Sequence, residues 1–202
     1  MGAPLDRDPN VSAKAELRAT MRCRRLALAR KDARAAEAAA LNFPTERLAS
    51  FRTVSGYLPL GAEINPAPLL ARFADSGAII ALPVAIARAS PLVFRLHDPN
   101  EPLVPDAFGI LAPPASATAV APDLIITPVL AFDRHGGRLG QGAGCYDRTL
   151  AALRATGSVF VLGLAYAGQE IEVAPFEAHD QRLDAILTEE GYIEVRKDIR
   201  CA

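Results

Sequence analysis

One loop of the sequence combines glycines with charged side chains in a way that suits a bound phosphate. Between Phe132 and Leu150 the chain carries five glycines, three arginines and two aspartates. An apolar segment of strand length, residues 123–127, precedes this loop, and a helical pattern follows from residue 149. A loop between a strand and a helix presents backbone N–H groups at the helix N-terminus, where phosphate binds well. The sequence therefore predicts an anion-binding loop here.

The loop matches neither of the two commonest phosphate-binding patterns. It lacks the Lys-Ser/Thr pair of a Walker A loop, and Cys145 occupies the third glycine position of a dinucleotide fingerprint. Alternating glycines let the backbone approach a ligand closely and adopt positive φ angles. A sharp structural turn is the alternative interpretation, but a turn has no need of Arg138, Asp147 and Arg148 beside it.

A basic stripe is predicted on the first helix, for which Ser12 is a plausible N-cap. Lys14, Arg18, Arg22 and Arg25 follow one another at spacings that place them on one helical face. The stripe is either a solvated basic surface or an anion clamp, in which lysine acts as a point charge and arginine as a fork.

Two carboxylates, Asp147 and Asp184, are candidate ligands for Mg²⁺, which usually takes one or two carboxylates beside substrate phosphates. Each could instead serve as a helix cap or a surface ion pair. Cys145 is a weaker candidate, as a nucleophile with His135 or His179 as its base, because no partner order or elbow motif accompanies it.

The composition favours one globular domain in a reducing compartment. The chain has 202 residues, half of them apolar and 22% charged, and its three cysteines lack disulfide or zinc spacing. We expect a flexible N-terminal tail over 1–11, a single domain over 12–196 and a C-terminal tail over 197–202. A net charge of −1 does not suggest a nucleic-acid-binding face. With no apolar run long enough for a membrane span or signal peptide, a cytoplasmic protein is expected.

Helical and strand patterns alternate along the chain, which predicts a layered α/β fold with a largely parallel sheet. The near-continuous apolar run at 159–165 is typical of a strand that is covered on both faces. Residues 97–122 contain many prolines and no clear period, so an irregular excursion is expected there. The predicted strands are 53–57, 78–84, 91–96, 123–127, 159–165, 185–188 and 192–195, and the predicted helices are 12–41, 45–50, 66–75 and 149–157.

Several ordered motifs together carry a resemblance to a known family over residues 14–190. They are Lys14-x-x-Leu17-Arg18, the segment from Tyr57 to Glu63, Ala131-Phe132-Asp133 with Gly137-Arg138-Leu139-Gly140-x-Gly142-x-Gly144-x-Tyr146-Asp147-Arg148, Gly163-Leu164-Ala165-Tyr166 with Gln169, and His179-Asp180-x-x-Leu183-Asp184. With these motifs the chain resembles the 5-formyltetrahydrofolate cyclo-ligases, also called 5,10-methenyltetrahydrofolate synthetases.

The resemblance implies a three-layer α/β/α fold and an ATP-dependent enzyme that requires Mg²⁺. Members convert 5-formyltetrahydrofolate to 5,10-methenyltetrahydrofolate and release ADP and phosphate. The formyl oxygen is thought to attack the γ-phosphate, after which N10 attacks the activated carbon. A reduced folate and ATP are then the expected partners of a monomer or weak homodimer, without nucleic acid or membrane.

The resemblance also implies roles for individual residues. Asp147 and Asp184 would serve Mg²⁺, and Arg138, Gln141 and Asp147 would be the catalytic residues. The implied substrate-binding residues are Leu58, Glu63, Gln141 and Cys145. The implied ATP-binding residues are Lys14, Arg18, Arg138, Leu139, Gly140, Gln141, Gly142, Ala143, Gly144, Cys145 and Tyr146.

The loop departs from the common family pattern at Gln141, Ala143 and Cys145. Many members have a tyrosine or a basic residue at the first position, glycine or lysine at the second and tyrosine at the third. These departures leave two alternatives open, a paralogue that acts on another formyl or amide compound and a non-catalytic folate-binding protein.

Overall fold

The computed structural model describes residues 9–195 of the chain, with side chains from residue 13 onward. The predicted C-terminal tail, 197–202, lies outside this range, as does most of the predicted N-terminal tail. No helix among the described residues is long and apolar enough to cross a membrane.

Within residues 9–195 the fold has four α-helices and twelve strands. The helices are α1 (Pro9–Lys31), α2 (Ala35–Asn42), α3 (Ala67–Asp75) and α4 (Cys145–Thr156), with short 3-10 helices at Thr45–Ser50 and Ala167–Gln169. The strands are β1 (Thr53–Ser55), β2 (Ile79–Ala85), β3 (Leu92–Leu96), β4 (Val104–Pro105), β5 (Leu111–Ala112), β6 (Ala119–Val120), β7 (Leu124–Pro128), β8 (Ala131–Phe132), β9 (Arg138–Leu139), β10 (Phe160–Leu164), β11 (Ala185–Thr188) and β12 (Gly191–Glu194).

The main sheet has eight strands in the order β12-β11-β10-β7-β1-β2-β3-β6. Its five central strands, from β11 to β2, are parallel, whereas β12, β3 and β6 pair antiparallel at the edges. From β1 the chain proceeds to β2 on one side, and from β7 it proceeds to β10 on the other. The strand order therefore reverses between β1 and β7, which is the position where α/β sheets bind ligands.

Helices cover both faces of this sheet, so the predicted three-layer α/β/α architecture is confirmed. Within β7, Leu124 and Ile126 pack with α2 and α3 on one face. The intervening Ile125 packs on the other face with Leu150 of α4. This alternation follows from the two-residue period of a strand, and complete burial on both sides explains why β7 reads as a continuous apolar run.

Helix α1 packs through its apolar stripe onto the β8–β9 hairpin. Met21 is buried against Ala131 and Leu139, and Leu17 packs beside it. The helix begins at Pro9, before the predicted cap at Ser12, and a break after Lys31 separates it from α2. The predicted continuous helix over 12–41 is therefore two helices.

The excursion at 97–122 is more ordered than expected, because one carboxylate organises it. Asp106 accepts hydrogen bonds from the backbone N–H groups of Ala85, Phe108 and Ile110, at 3.1, 2.8 and 3.0 Å. It thereby ties the short hairpin of β4 and β5 to the end of β2.

The glycine loop leaves the β8–β9 hairpin, whose turn is held by the buried carboxylate of Asp133. Its Oδ1 accepts from the N–H groups of His135 and Gly137, at 2.8 and 2.9 Å, and its Oδ2 accepts from Ala174 N–H at 2.8 Å. A side chain at residue 137 would collide with this carboxylate, since a Cβ there would lie 2.4 Å from Oδ2. Asp133 therefore fixes the base from which the loop emerges.

We expect Asp133→Ala to lower the free energy of unfolding by about 3 kcal/mol, because three backbone donors lose their acceptor. Urea denaturation followed by circular dichroism measures this change. The exposed carboxylate of Asp75 offers a control, since Asp75→Ala should change stability by less than about 0.5 kcal/mol. Equal effects of the two substitutions would contradict the role given to Asp133.

Candidate active site

A cleft of about 570 Å³ opens at the carboxyl ends of β1 and β7, where the strand order reverses. Tyr57 and Leu58, which follow β1, form one wall, and Thr127 and Pro128 of β7 form its floor. The glycine loop, residues 140–144, forms the opposite wall. Every residue of the predicted site except Asp184 lines this cleft.

The glycine loop needs its glycines at the two positions nearest α4. Gly142 has φ of 104° and Gly144, which immediately precedes the helix, has φ of 66°. Residues with a Cβ rarely adopt these angles. At Gly142 an added Cβ would also lie 3.5 Å from Arg18 Cζ. The loop thus brings backbone close to α1 and directs it into the N-terminus of α4, where N–H groups and the helix dipole favour an anion.

The basic stripe of α1 contacts the loop, which favours the anion-clamp interpretation over a solvated surface. Arg18 Nε donates to Gly140 O at 3.1 Å, and Arg22 Nε donates to Gln141 Oε1 at 3.1 Å. These contacts join the first helix of the chain to a loop more than a hundred residues later. The stripe and the loop therefore form one surface.

Lys14 lies at the same end of the cleft and faces an acidic segment. Its Nζ is 2.7 Å from Glu177 Oε1 and 3.5 Å from Asp180 Oδ2. All three residues line the cleft, and the lysine side chain is only 15% exposed. A phosphate that approached Lys14 would compete with these carboxylates.

An ion pair between Arg138 and Asp147 closes the loop at its base. Arg138 Nη2 donates to Asp147 Oδ1 at 2.6 Å, and the same oxygen accepts from Gln181 N–H at 3.0 Å. Burial lowers the pKa of Arg138, and the Asp147 carboxylate opposes that shift. Arg138 Nη1 is buried without a hydrogen-bond partner among the described residues. A nearly buried guanidinium thus retains an unused donor beside the cleft.

Glu63, one of the substrate-binding residues that the resemblance implies, contacts Arg25 of the basic stripe. Glu63 Oε1 lies 3.3 Å from Arg25 Nη1, and Glu63 Oε2 accepts from Leu60 N–H at 3.0 Å. Tyr57 donates its hydroxyl to Ile64 O at 2.7 Å. Burial, then the Glu63 charge, raises the pKa of Tyr57, so the phenol remains protonated.

Tyr146 and Cys145 both line the cleft at the start of α4. Burial, with a further contribution from the Glu63 charge, raises the pKa of Tyr146, which keeps its hydroxyl as a donor at neutral pH. Cys145 Sγ lies 4.0 Å from Ala143 O and 3.9 Å from Arg148 Nη2. No histidine is among these partners of Cys145, so the geometry gives no support to a cysteine–histidine nucleophile.

Asp184 occupies a different place from the one predicted. It immediately precedes β11 and lies at the amino-terminal edge of the parallel strands, whereas the cleft is at their carboxyl edge. Its Oδ2 binds Arg154 Nη2 at 3.0 Å and Val161 N–H at 2.9 Å. The carboxylate that does reach the cleft is Asp180, four residues earlier in the same motif.

Sequence reasoning also missed residues from the excursion. It named Arg25 as part of the basic stripe but did not predict its contact with Glu63. Asp180 stood in the quoted His179-Asp180 motif, but spacing alone did not distinguish it from Asp184. Asp106 and Phe108 line the cleft although no pattern marked them. Among the described residues no three histidine, cysteine or acidic side chains form a group that could by itself hold a metal.

Comparisons with known proteins agree with this geometry. The model of the 5-formyltetrahydrofolate cyclo-ligase family matches residues 10–189. A protein of Mycolicibacterium smegmatis named 5-formyltetrahydrofolate cyclo-ligase is 36% identical over 156 residues, which cover 73% of this chain and 79% of that protein. A protein of the same name from Haemophilus influenzae is 34% identical over 153 residues, which cover 73% of this chain and 80% of its own.

Solved structures extend the likeness to the fold. The NMR structure of Aquifex aeolicus 5,10-methenyltetrahydrofolate synthetase superimposes with a TM-score of 0.71 and 25% identity, over 94% of this chain and 96% of that one. A 5,10-methenyltetrahydrofolate synthetase from Mycoplasma pneumoniae shares the fold, with a TM-score of 0.65 and 19% identity over 87% of this chain and 98% of that one. From the family match and these relatives, we conclude that the chain belongs to the 5-formyltetrahydrofolate cyclo-ligase family.

Proposed function

We propose that this protein is an ATP-dependent cyclo-ligase that converts 5-formyltetrahydrofolate to 5,10-methenyltetrahydrofolate, with release of ADP and phosphate. The observation that carries the proposal is the meeting of the glycine loop, the basic face of α1 and Glu63 in one cleft. Family membership gives the reaction, and the cleft supplies groups of the kind that the reaction needs.

The triphosphate of ATP belongs at the end of the cleft where α1 meets the glycine loop. Lys14 and Arg18 supply positive charge from α1, and residues 139–146 supply backbone N–H groups and the N-terminus of α4. Positive φ at Gly142 and Gly144 lets the backbone lie against the phosphates without a side chain between them.

In the proposed reaction the formyl oxygen, which is a poor leaving group, is activated by phosphorylation. The formyl oxygen attacks the γ-phosphorus, the bond to ADP breaks, and an iminophosphate forms. N10 then attacks the activated carbon and loses its proton, and the carbon–oxygen bond breaks as phosphate leaves with its electron pair. The protein need not supply a nucleophile, because positioning and charge neutralisation provide the catalysis.

Arg138 is suited to stabilise the charge that develops on the transferred phosphoryl group. It is 9% exposed, held by Asp147 through Nη2, and has an unpaired Nη1. A donor that is fixed before the reaction begins stabilises the transition state without reorganisation. Gln141, held by Arg22, places an uncharged amide at the same loop and completes the proposed catalytic set.

Asp147 suits a Mg²⁺ ion that is bound together with ATP. Both of its hydrogen bonds from described residues go to Oδ1, which leaves Oδ2 as a hard oxygen acceptor at the cleft. We propose Asp180 as the second carboxylate in place of Asp184, since Asp180 lines the cleft. When bound, Mg²⁺ neutralises phosphate charge and orients the phosphoryl group.

The reduced folate belongs at the other end of the cleft. Glu63 offers a fixed carboxylate beside Leu58, where it could accept hydrogen bonds from the folate and orient N10. Leu82, Pro83 and Phe108 provide an apolar wall for the ring system. Cys145 also lines the cleft and would border the formyl group. We place the enzyme in the cytoplasm, as a monomer or weak homodimer.

The direct test supplies purified protein with MgATP and 5-formyltetrahydrofolate and follows the methenyl absorbance together with ADP. We expect both products in equal amounts. The absence of product, under conditions where a known cyclo-ligase is active, would overturn the proposal. Tight ATP binding without turnover would instead favour a paralogue that acts on another formyl or amide compound. Folate binding that does not depend on ATP would favour a non-catalytic binding protein.

For Asp147→Asn we expect a roughly 100-fold loss of kcat/KM and a higher Mg²⁺ requirement, because the amide keeps its size but loses its charge. Initial rates over a Mg²⁺ titration measure both effects. Asp184→Asn is the matched control, which should lower thermal stability through Arg154 and leave the Mg²⁺ requirement unchanged. If the Mg²⁺ requirement changed in Asp184→Asn but not in Asp147→Asn, Asp184 rather than Asp147 would be the metal ligand.

For Lys14→Met we expect the KM for ATP to rise about tenfold, because one charge-assisted phosphate contact is lost. The KM for 5-formyltetrahydrofolate should stay within about twofold, since Glu63 lies at the other end of the cleft. The control is Lys31→Met, at the exposed end of α1, which should change neither constant. A selective rise in the folate KM would refute the role of Lys14.

A further inference from the structure

A buried ion pair between Arg25 and Glu63 lies within the cleft. The two side chains are 8% and 5% exposed, and Arg25 Nη1 lies 3.3 Å from Glu63 Oε1. Both residues line the cleft. A single charge at this depth would be strongly disfavoured without its partner.

Arg25 and the backbone of Leu60 together fix the orientation of the Glu63 carboxylate. Arg25 holds Oε1, and the N–H of Leu60 holds Oε2 at 3.0 Å. The Glu63 N–H in turn donates to Leu60 O at 3.2 Å, so the carboxylate closes a short turn. With both oxygens held, the carboxylate plane is set before any ligand arrives.

Stability alone is a poor reason for this pair. Replacing a buried ion pair with apolar side chains of similar size is often neutral or stabilising, because both charges must be desolvated. Arg25 Nε is also buried without a partner among the described residues, which adds to that penalty. A buried ion pair is weak evidence for stability, and this one lines the cleft, so we look for its role in the binding of the ligand.

Arg25 is separate from the ATP end of the same helix. Lys14 and Arg18 contact the 177–180 segment and the glycine loop, whereas Arg25 follows Arg18 by seven residues, about 10 Å along the helix axis. One face of helix α1 therefore contributes to both ends of the cleft, through Lys14 and Arg18 at one end and Arg25 at the other. Removing Arg25 should disturb the folate end and spare the nucleotide end.

We propose that Arg25 is a positioning residue that orients Glu63 for contact with the reduced folate. This inference rests on the proposed function and adds to it a residue that acts through Glu63 rather than on the substrate. It predicts that the effect of Arg25 on the reaction depends on the presence of the Glu63 carboxylate.

A double-mutant cycle tests this dependence, with Arg25→Met, Glu63→Gln and the double variant assayed for kcat and both KM values. We expect Arg25→Met to lower kcat/KM for 5-formyltetrahydrofolate roughly 10- to 100-fold, as for a lost charge-assisted bond, and to leave the KM for ATP unchanged. In the Glu63→Gln background the same substitution should change kcat/KM less than about threefold. Arg24→Met, at an exposed neighbouring position, is the control and should match the parent protein.

Arg25→Lys keeps the charge and carries its hydrogen-bond donors on a single nitrogen, and we expect it to recover part of the lost activity. If Arg25→Met does not fold, Arg25→Lys in the two backgrounds decides the question in the same way. Losses that multiply in the double variant, or a lowered melting temperature with unchanged kcat/KM, would overturn the inference. An inactive parent protein would overturn the proposed function and this inference together, whereas an active parent with multiplying losses would overturn the inference alone.

Discussion

The ion pair between Arg138 and Asp147 is the contact on which the site depends. It joins β9 to the first turn of α4 and so closes the glycine loop at its base. Asp147 also holds the backbone of Gln181, next to the segment that carries Glu177 and Asp180. One carboxylate thus sets the geometry of two walls, and α1 completes the cleft by contacting both of them through Arg18 and Lys14.

Positively charged side chains in the cleft are held in place by hydrogen bonds and ion pairs rather than left free. Lys14 contacts the carboxylates of Glu177 and Asp180, and Arg18 donates to the backbone carbonyl of Gly140. Arg25 pairs with Glu63. These contacts keep flexible side chains oriented, which reduces the entropy lost when a polyanion binds. The same contacts would oppose anion binding, since a phosphate would have to displace Glu177 from Lys14. The orientation of these side chains is therefore gained at the cost of competition from their present partners.

Local signals accounted for much of the fold and part of the site. Buried parallel strands such as β7 and β10 are continuous apolar runs, and the helix predicted over 66–75 is found as α3 (Ala67–Asp75), with Asn65 Oδ1 accepting from Ala67 N–H at 3.0 Å at its start. Contacts between residues that are far apart in the sequence could not be predicted from such local signals. Asp180 lines the cleft whereas Asp184 precedes β11 away from it, and their spacing in the sequence did not reveal this difference. The order within 97–122 depends on a hydrogen bond from the end of β2 to Asp106.

The contacts of α1 also bear on how the protein is made. Arg18 and its acceptor Gly140 are 122 residues apart, and Arg22 and Gln141 are 119 apart. Closing so long a segment is slow compared with forming local structure. During synthesis from the N-terminus, α1 emerges before the loop that would complete the proposed nucleotide site. A growing chain therefore cannot assemble that end of the cleft until the glycine loop, more than a hundred residues after α1, has left the ribosome. A ligand of the completed cleft could not help the earlier segments to fold.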